Sequence, residues 1–132
     1  MSIILKSTSS DYWSKGRLSL AAVTEETVMD SAIVGCIDLY DYDPLHQRAA
    51  VGIAVLPQLR QQGYATAMLR ALSVFCTHTI SLHQLYADIL TSNIVSLHLF
   101  QQSGYQRCAL MRDWICQEGR YLDAYRYQLI LQ

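Results

Sequence analysis

A mixed sheet packed by helices, an α/β or α+β domain, is the fold class this 132-residue sequence predicts. Three observations predict it. Short apolar runs rich in β-branched residues recur along the chain, each closed by a polar or Pro/Gly turn. Two stretches instead carry their apolar residues at helical spacing. Their order is strands, helix, strand, helix and a final hairpin, with no linker, internal repeat or low-complexity tract between them.

The elements follow in order. Residues 1–16 are the least determined, and a short helical or irregular segment is expected around Ser9–Ser14. Arg17–Val23 reads as a strand and Thr24–Asp30 as a polar turn. Ser31–Tyr40 is a second strand. Asp41–His46 is expected to be a loop, because Asp and Pro cluster there. Arg48–Val55 is a third strand whose ladder Pro57 ends. A helix is expected from about Gly63 to Ile80, with Ala65, Leu69, Leu72 and Cys76 on one face. Gln84–Ile89 is a short strand. A second helix, capped by Thr91 or Ser92, should bury Ile94, Leu97 and Phe100 and stop at Gly104. Tyr105–Ile115 and Arg120–Leu131 form a hairpin about Gln117-Glu118-Gly119, with Tyr125 and Tyr127 on one face.

Composition narrows the function. A 52% hydrophobic and 16% charged chain can bury a core and is not disordered. Ten basic against eleven acidic residues, with no basic run, argue against a nucleic-acid partner. The apolar runs fall far short of the roughly 18 residues a spanning helix needs, and Met1–Lys6 lacks the charged leader of a signal peptide. No membrane partner is expected. Cys36, Cys76, Cys108 and Cys116 are widely spaced, which reads as buried, reduced thiols in a cytoplasmic protein. Cys76 and His78 lack a second ligand pair, so no metal is expected.

The most informative run is Gly52–Ala65: a strand, a proline stop, a polar loop, then a glycine at a helix start. Glycine lets a ligand approach the backbone closely. The first helical turn carries N–H groups without intrahelical partners, and the dipole adds positive potential there. Together they suit a phosphate, so a phosphorylated cofactor held between strand and helix is expected.

Val55-Leu-Pro-Gln-Leu-Arg60-Gln-Gln-Gly63-Tyr-Ala65 resembles the acyl-CoA pyrophosphate loop of the GNAT acetyltransferase superfamily, with its Arg/Gln-x-x-Gly-x-Gly/Ala pattern after a central strand. Asn93-Ile-Val-Ser96-Leu97-His-Leu-Phe100, running on to Gly104-Tyr105, is similar to the family's second signature. The rhythm of Ile37–Pro44 also looks like members related to ribosomal-protein and polyamine acetyltransferases. The resemblance covers Arg17–Leu131 and implies one acetyl-CoA-binding domain over residues 1–132. It also implies a mostly antiparallel central sheet flanked by helices. Family members begin with a further strand and helix, for which only Met1–Gly16 is present, so both are expected to be missing. A short member, a truncated start, or a partner that completes the sheet would each account for this. An uncovered sheet edge is a route to a homodimer.

The resemblance further implies site residues. Ile53 and Val55 would offer main-chain groups to the pantetheine arm. Gln61, Gln62, Gly63, Tyr64 and Ala65 would present amides to the pyrophosphate, and Arg60 would add a charge-assisted bond. Asn93 would hydrogen-bond the pantetheine side; its plain reading is a helix-start residue. An amine attacks only when neutral, so its proton needs an acceptor, and the thioester oxygen needs an N–H donor as charge develops. Where many members carry a glutamate base this chain has Ala50, and where they carry a tyrosine acid it has Phe100. The catalytic groups are therefore not identified by the motifs. Asp38, Asp43 and His46 are the candidates for the base or for drawing in a cationic amine, with Asp41 beside them. Tyr105 and Tyr125 are candidate acids.

The expected function is acetyl-CoA-dependent N-acetylation of a primary amine: a small amine, a polyamine or a protein N-terminus. The alternative is an acyl-CoA-binding regulatory module with little catalysis. A generic nucleotide-binding domain is disfavoured, because neither Gly-x-x-x-x-Gly-Lys-Ser/Thr nor Gly-x-Gly-x-x-Gly occurs.

Overall fold

The computed structural model of the chain describes residues 2–7, 13–24 and 32–131. Seven strands and two α-helices alternate in the order β1 (Ile3–Ser7), β2 (Leu18–Thr24), β3 (Ile33–Asp43), β4 (Arg48–Val55), α1 (Tyr64–His78), β5 (Gln84–Leu90), α2 (Ile94–Gln102), β6 (Gln106–Gln117) and β7 (Arg120–Ile130). The strands form one sheet in the order β1-β2-β3-β4-β5-β7-β6. Every neighbouring pair is antiparallel except β4 and β5, which run parallel. The parallel pair follows from α1, which carries the chain back to the start of the sheet before β5 begins.

Strand alternation sorts the side chains. Leu20, Ile37, Leu39, Ala49, Val51, Leu85, Ala87 and Ile89 turn to one face. There they join Met68, Leu69, Leu72 and Cys76 of α1 and Leu97 and Phe100 of α2 in a single core. Both helices therefore pack on the same side. The other face carries Ser19, Asp38, Tyr40, Gly52, Tyr86, Asp88 and Arg126, and no helix among the described residues covers it.

Several expectations are corrected. A strand does precede the one beginning near Arg17: Ile3–Ser7 pairs antiparallel with β2. No helix lies between them among the described residues. The segment expected around Ser9–Ser14 and the turn expected from Thr24 to Asp30 fall mostly on 8–12 and 25–31, outside the described residues. The second strand runs on through Asp41 and Tyr42 to Asp43, and its register with β4 shifts between Tyr40 and Asp43. Asp41 takes a left-handed backbone (φ 51°) there, so the Asp-rich segment bends the strand without ending it. Ile94 is exposed, because it occupies the first, outward turn of α2. Of the four free cysteines only Cys76 is buried, and burial pushes its thiol up to about 12. Cys36, Cys108 and Cys116 are exposed, the first on the helix-free face and the others on edge strand β6.

No helix among the described residues is long and apolar enough to cross a membrane.

Gly35 of β3 leaves no room for a side chain between β4 and Met68 of α1. A Cβ there would run into the Ala54 carbonyl oxygen and meet Met68 Cε at 3.1 Å. Gly35→Ala is expected to lower unfolding free energy by about 1–3 kcal/mol in denaturant titration. Gly52→Ala, whose Cβ would sit 3.8 Å from Tyr40 Cε1, should change it by no more than about 0.5 kcal/mol.

Candidate functional site

The site begins where two parallel strands part. β4 pairs with β5 through Arg48, Ala49 and Ala50 and then leaves it. On its other side β4 stays bonded to β3 as far as the Leu56 N–H to Val34 carbonyl bond of 2.9 Å. Antiparallel alternation then turns the main-chain groups of Val51, Ile53 and Val55 away from β3, towards the space β5 has vacated. A cavity of about 220 Å³ fills that space, lined by Val51, Gly52 and Ile53 of β4, Ala87–Leu90 of β5, Asn93, Ser96 and Phe100 by α2, and Ile115 of β6. A larger hollow of about 480 Å³ lies between β1 and α1. Its lining holds no residue of β4 or β5, so the smaller cavity, which lies in the gap between them, is the candidate site.

At the C-terminal end of β4 a short 3-10 turn, Pro57–Leu59, leads into α1. Pro57 pre-sets the turn. Gly63 caps α1 in the left-handed conformation (φ 86°), with no side chain capping the helix. Gln61 is also left-handed (φ 62°). Two left-handed residues with one between them thus shape the loop that leads into α1. Among the described residues, the N–H groups of Gln61, Gln62, Gly63, Tyr64 and Ala65 meet no acceptor in the chain. The first bond of the helix is Ala67 N–H to the Gly63 carbonyl, at 3.1 Å. Arg60 is exposed, and its Nε donates to the Val55 carbonyl at 3.2 Å. The Val55 carbonyl is thus held by the chain itself, while the Ile53 groups and the Val55 N–H have no β5 partner. Gln62 Nε2 donates to the Gln58 carbonyl at 3.2 Å, which braces the loop.

Asn93, and not Thr91 or Ser92, caps α2: its Oδ1 accepts from the Ser96 N–H at 3.2 Å. It lines the cavity as well, with Ser96 one turn on.

A family model for the acetyltransferase (GNAT) domain matches residues 4–106. The chain belongs to the GNAT acetyltransferase family. It is 20% identical to the spermidine N(1)-acetyltransferase of Vibrio cholerae over 98 residues, which span 74% of this chain and 57% of that protein. The chain thus matches little more than half the length of that curated relative. Among solved structures it is similar to the spermidine/spermine N-acetyltransferase SpeG of Vibrio cholerae in complex with manganese ions. The TM-score is 0.84 at 14% identity, covering 98% of this chain and 93% of that one. It is also similar to the Vibrio cholerae spermidine N-acetyltransferase in complex with CoA and spermine, with a TM-score of 0.79 at 17% identity, covering 88% and 66%. These likenesses establish a shared GNAT fold.

Within this GNAT domain the catalytic candidates separate. Asp38 stands on the helix-free face beside Gly52, and accepts from Ser19 Oγ at 2.7 Å. Asp43 and His46 sit at the other end of β4, at the β3–β4 turn. Four residue steps along the strand, about 13 Å, separate Arg48 from Gly52. Asp43 organises that turn: Oδ1 accepts from the Leu45 and His46 N–H groups, each at 3.0 Å, and Oδ2 lies 3.4 Å from Arg48 Nη2. The His46 N–H, foremost, holds its carboxyl below the usual range. Tyr105 is buried beside Phe100, ring centroids 4.9 Å apart, and burial raises its phenol. Its hydroxyl has no partner among the described residues. Tyr125 lies under the Arg107 guanidinium at 3.7 Å. Ala50 is buried between its cross-strand neighbours Tyr40 and Tyr86. Burial foremost, then nearby carboxylates, raises both of those phenols.

One group escaped the sequence reading. Asp88 of β5 lines the cavity and is held by Arg126, Nε to Oδ1 at 2.8 Å and Nη2 to Oδ2 at 2.9 Å, and by Trp114 Nε1 to Oδ2 at 3.1 Å. That bond to Asp88 is the chief reason Arg126 is raised above its ordinary value. The signal available was faint: an aspartate inside a strand pattern, where Asp is depleted.

Asn93→Ala is expected to destabilise the fold by about 1 kcal/mol, and Asn93→Asp to keep the cap and the stability. Urea unfolding of the three proteins checks both.

Proposed function

We propose that this domain is an acetyl-CoA-dependent N-acetyltransferase that acts on a primary amine. The single observation that carries the reading is the set of unpartnered amides from Gln61 to Ala65 beside an unpaired stretch of β4. A diphosphate satisfies the first, and an extended amide-bearing arm, added like a strand, satisfies the second. Membership of the GNAT family and the fold shared with a structure that holds CoA and spermine support it.

Bound acetyl-CoA would supply the activated thioester. The chain's residues do the remaining work. Gln61, Gln62, Gly63, Tyr64 and Ala65 hold the phosphates through main-chain N–H groups, with the guanidinium end of Arg60 available to add charge. The Ile53 and Val55 main chain aligns the arm, which requires Arg60 Nε to release the Val55 carbonyl. A β4 N–H directed into the gap stabilises charge on the carbonyl oxygen. Asn93 and Ser96 border the thioester end, and Phe100 keeps water from it. Holding amine and thioester together in one gap supplies a large part of the acceleration. The acceptor class is a small amine or polyamine, or a protein N-terminus. The free edges β1 and β6 offer the route to a homodimer, and the four free cysteines suit a cytoplasmic setting.

A second reading rests on Ala50 and Phe100, which put neither carboxylate nor phenol where catalysis would use one: a CoA-binding regulatory module. Thiol release from acetyl-CoA with a panel of amines separates the two. Turnover on any primary amine supports the enzyme; tight acetyl-CoA binding without turnover supports the module.

Ala65→Glu tests the cofactor site. It places a carboxylate among the amides, at a helix start that tolerates it well. Acetyl-CoA affinity by calorimetry should fall about tenfold or more, with the melting temperature unchanged or slightly higher. Unaltered affinity would remove the site from this loop.

A further inference from the structure

The gap between β4 and β5 is bordered from both faces of the sheet, and the two sides differ. Val51, Ile53, Ala87 and Ile89 make the helix side apolar, whereas Gly52 and Asp88 stand on the other side. Asp88 is the one titratable side chain among the lining residues. Its partner Arg126 is not among them, so the gap is presented with a carboxylate and not with the guanidinium.

That carboxylate is fixed in place. Arg126 faces it across the β5–β7 ladder and fixes both oxygens, and Trp114 reaches over from β6 to Oδ2. The Arg126 guanidinium in turn lies 4.5 Å from the centre of the Tyr86 ring, so it is itself anchored. The Asp88 side chain retains only 14% exposure. A carboxylate offers roughly four acceptor positions and no donor. Three are filled by these bonds, two on Oδ2 and one on Oδ1, which leaves Oδ1 with room for one N–H or O–H donor.

We propose that Asp88 positions the acceptor's amino group at the helix-free side of the gap, accepting one of its N–H bonds at Oδ1. The inference rests on the acetyl-transfer reading above. The thioester arm then lies along β4 from the Gln61–Ala65 end. The amine arrives from the opposite face as an ammonium cation met by Asp88, and it attacks once its proton has passed to solvent. Gly52, opposite Asp38, leaves that side without a side chain to block it. Asp88 sets the acceptor's place without forming or breaking a bond.

Steady-state kinetics of the whole chain, with spermidine as the cationic acceptor and an arylamine as one that is neutral at the assay pH, test this. Asp88→Asn should raise KM for spermidine about tenfold or more and leave KM for acetyl-CoA within about twofold, with a smaller rise for the arylamine, whose N–H meets the same side chain without a cationic charge. Asp88→Glu, which keeps the charge but displaces it, should raise spermidine KM by about threefold, and it serves alone if the Asn variant does not fold. An unchanged spermidine KM in either variant overturns the inference. So does a parallel fall in all constants together with the melting temperature, the mark of an ion pair that only joins β5 to β7. Calorimetric titration with acetyl-CoA separates the underlying reading. Wild-type protein that binds acetyl-CoA but acetylates neither amine overturns the role of Asp88 and favours the regulatory module, whereas wild-type turnover of spermidine that the Asp88 variants leave unchanged overturns the role of Asp88 alone. Wild-type protein that does not bind acetyl-CoA overturns the reading and the inference together.

Discussion

The parting of β4 from β5 after Ala50 is the constraint from which the rest of the site follows. Backbone donors and acceptors cannot be left unmet in a packed interior without a cost of roughly 1–3 kcal/mol each. Here β4 keeps its β3 ladder as far as Leu56 yet gives up its β5 partner several residues earlier. The unmet groups face the gap, where water or a ligand can satisfy them. Arg60 meets one of them, the Val55 carbonyl. The divergence therefore leaves a strand-shaped vacancy, and the amides of Gln61 to Ala65, which follow β4 along the chain, have no acceptor among the described residues.

Sequence and structure agree best where local chemistry decides conformation. The bounds of β4, the start of α1 after Gly63 and the stop at Gly104 follow from proline, glycine and period, signals that act over a few residues. β1 was not legible. Ile3–Ser7 is a five-residue strand whose one ladder among the described residues is to β2, too short for its alternation to stand out before the polar run that follows it. The sequence offers Asn93 two readings, a cofactor contact and a helix-start residue; the structure shows the cap and puts the same residue on the cavity wall. The catalytic neighbourhood was the least legible part. Asp43 and His46 are close to Asp38 along the chain, but strand geometry carries them to the far end of β4. Asp88 acquires its setting only from Arg126, 38 residues later, and from Trp114 at a register shift in β6. Neither link leaves a trace in local pattern.

The two faces of the sheet divide the labour. The helix face is a continuous apolar core from Leu18 to Tyr127, and it sets the position of α1, hence of the amides at its start. The opposite face is polar and aromatic, with Asp88, Arg126, Tyr86 and Tyr40 as cross-strand neighbours. The gap is lined by residues of both faces.

The parallel contact between β4 and β5 also divides the sheet into two antiparallel blocks, β1–β4 and β5–β7, joined by a short seam from Arg48 to Ala50. A ligand lying in the gap would extend that seam by its own length and act as a removable suture. Occupancy would then stiffen the whole domain against shear between its blocks, and amide exchange at the inner edges of β4 and β5 would slow in step with saturation.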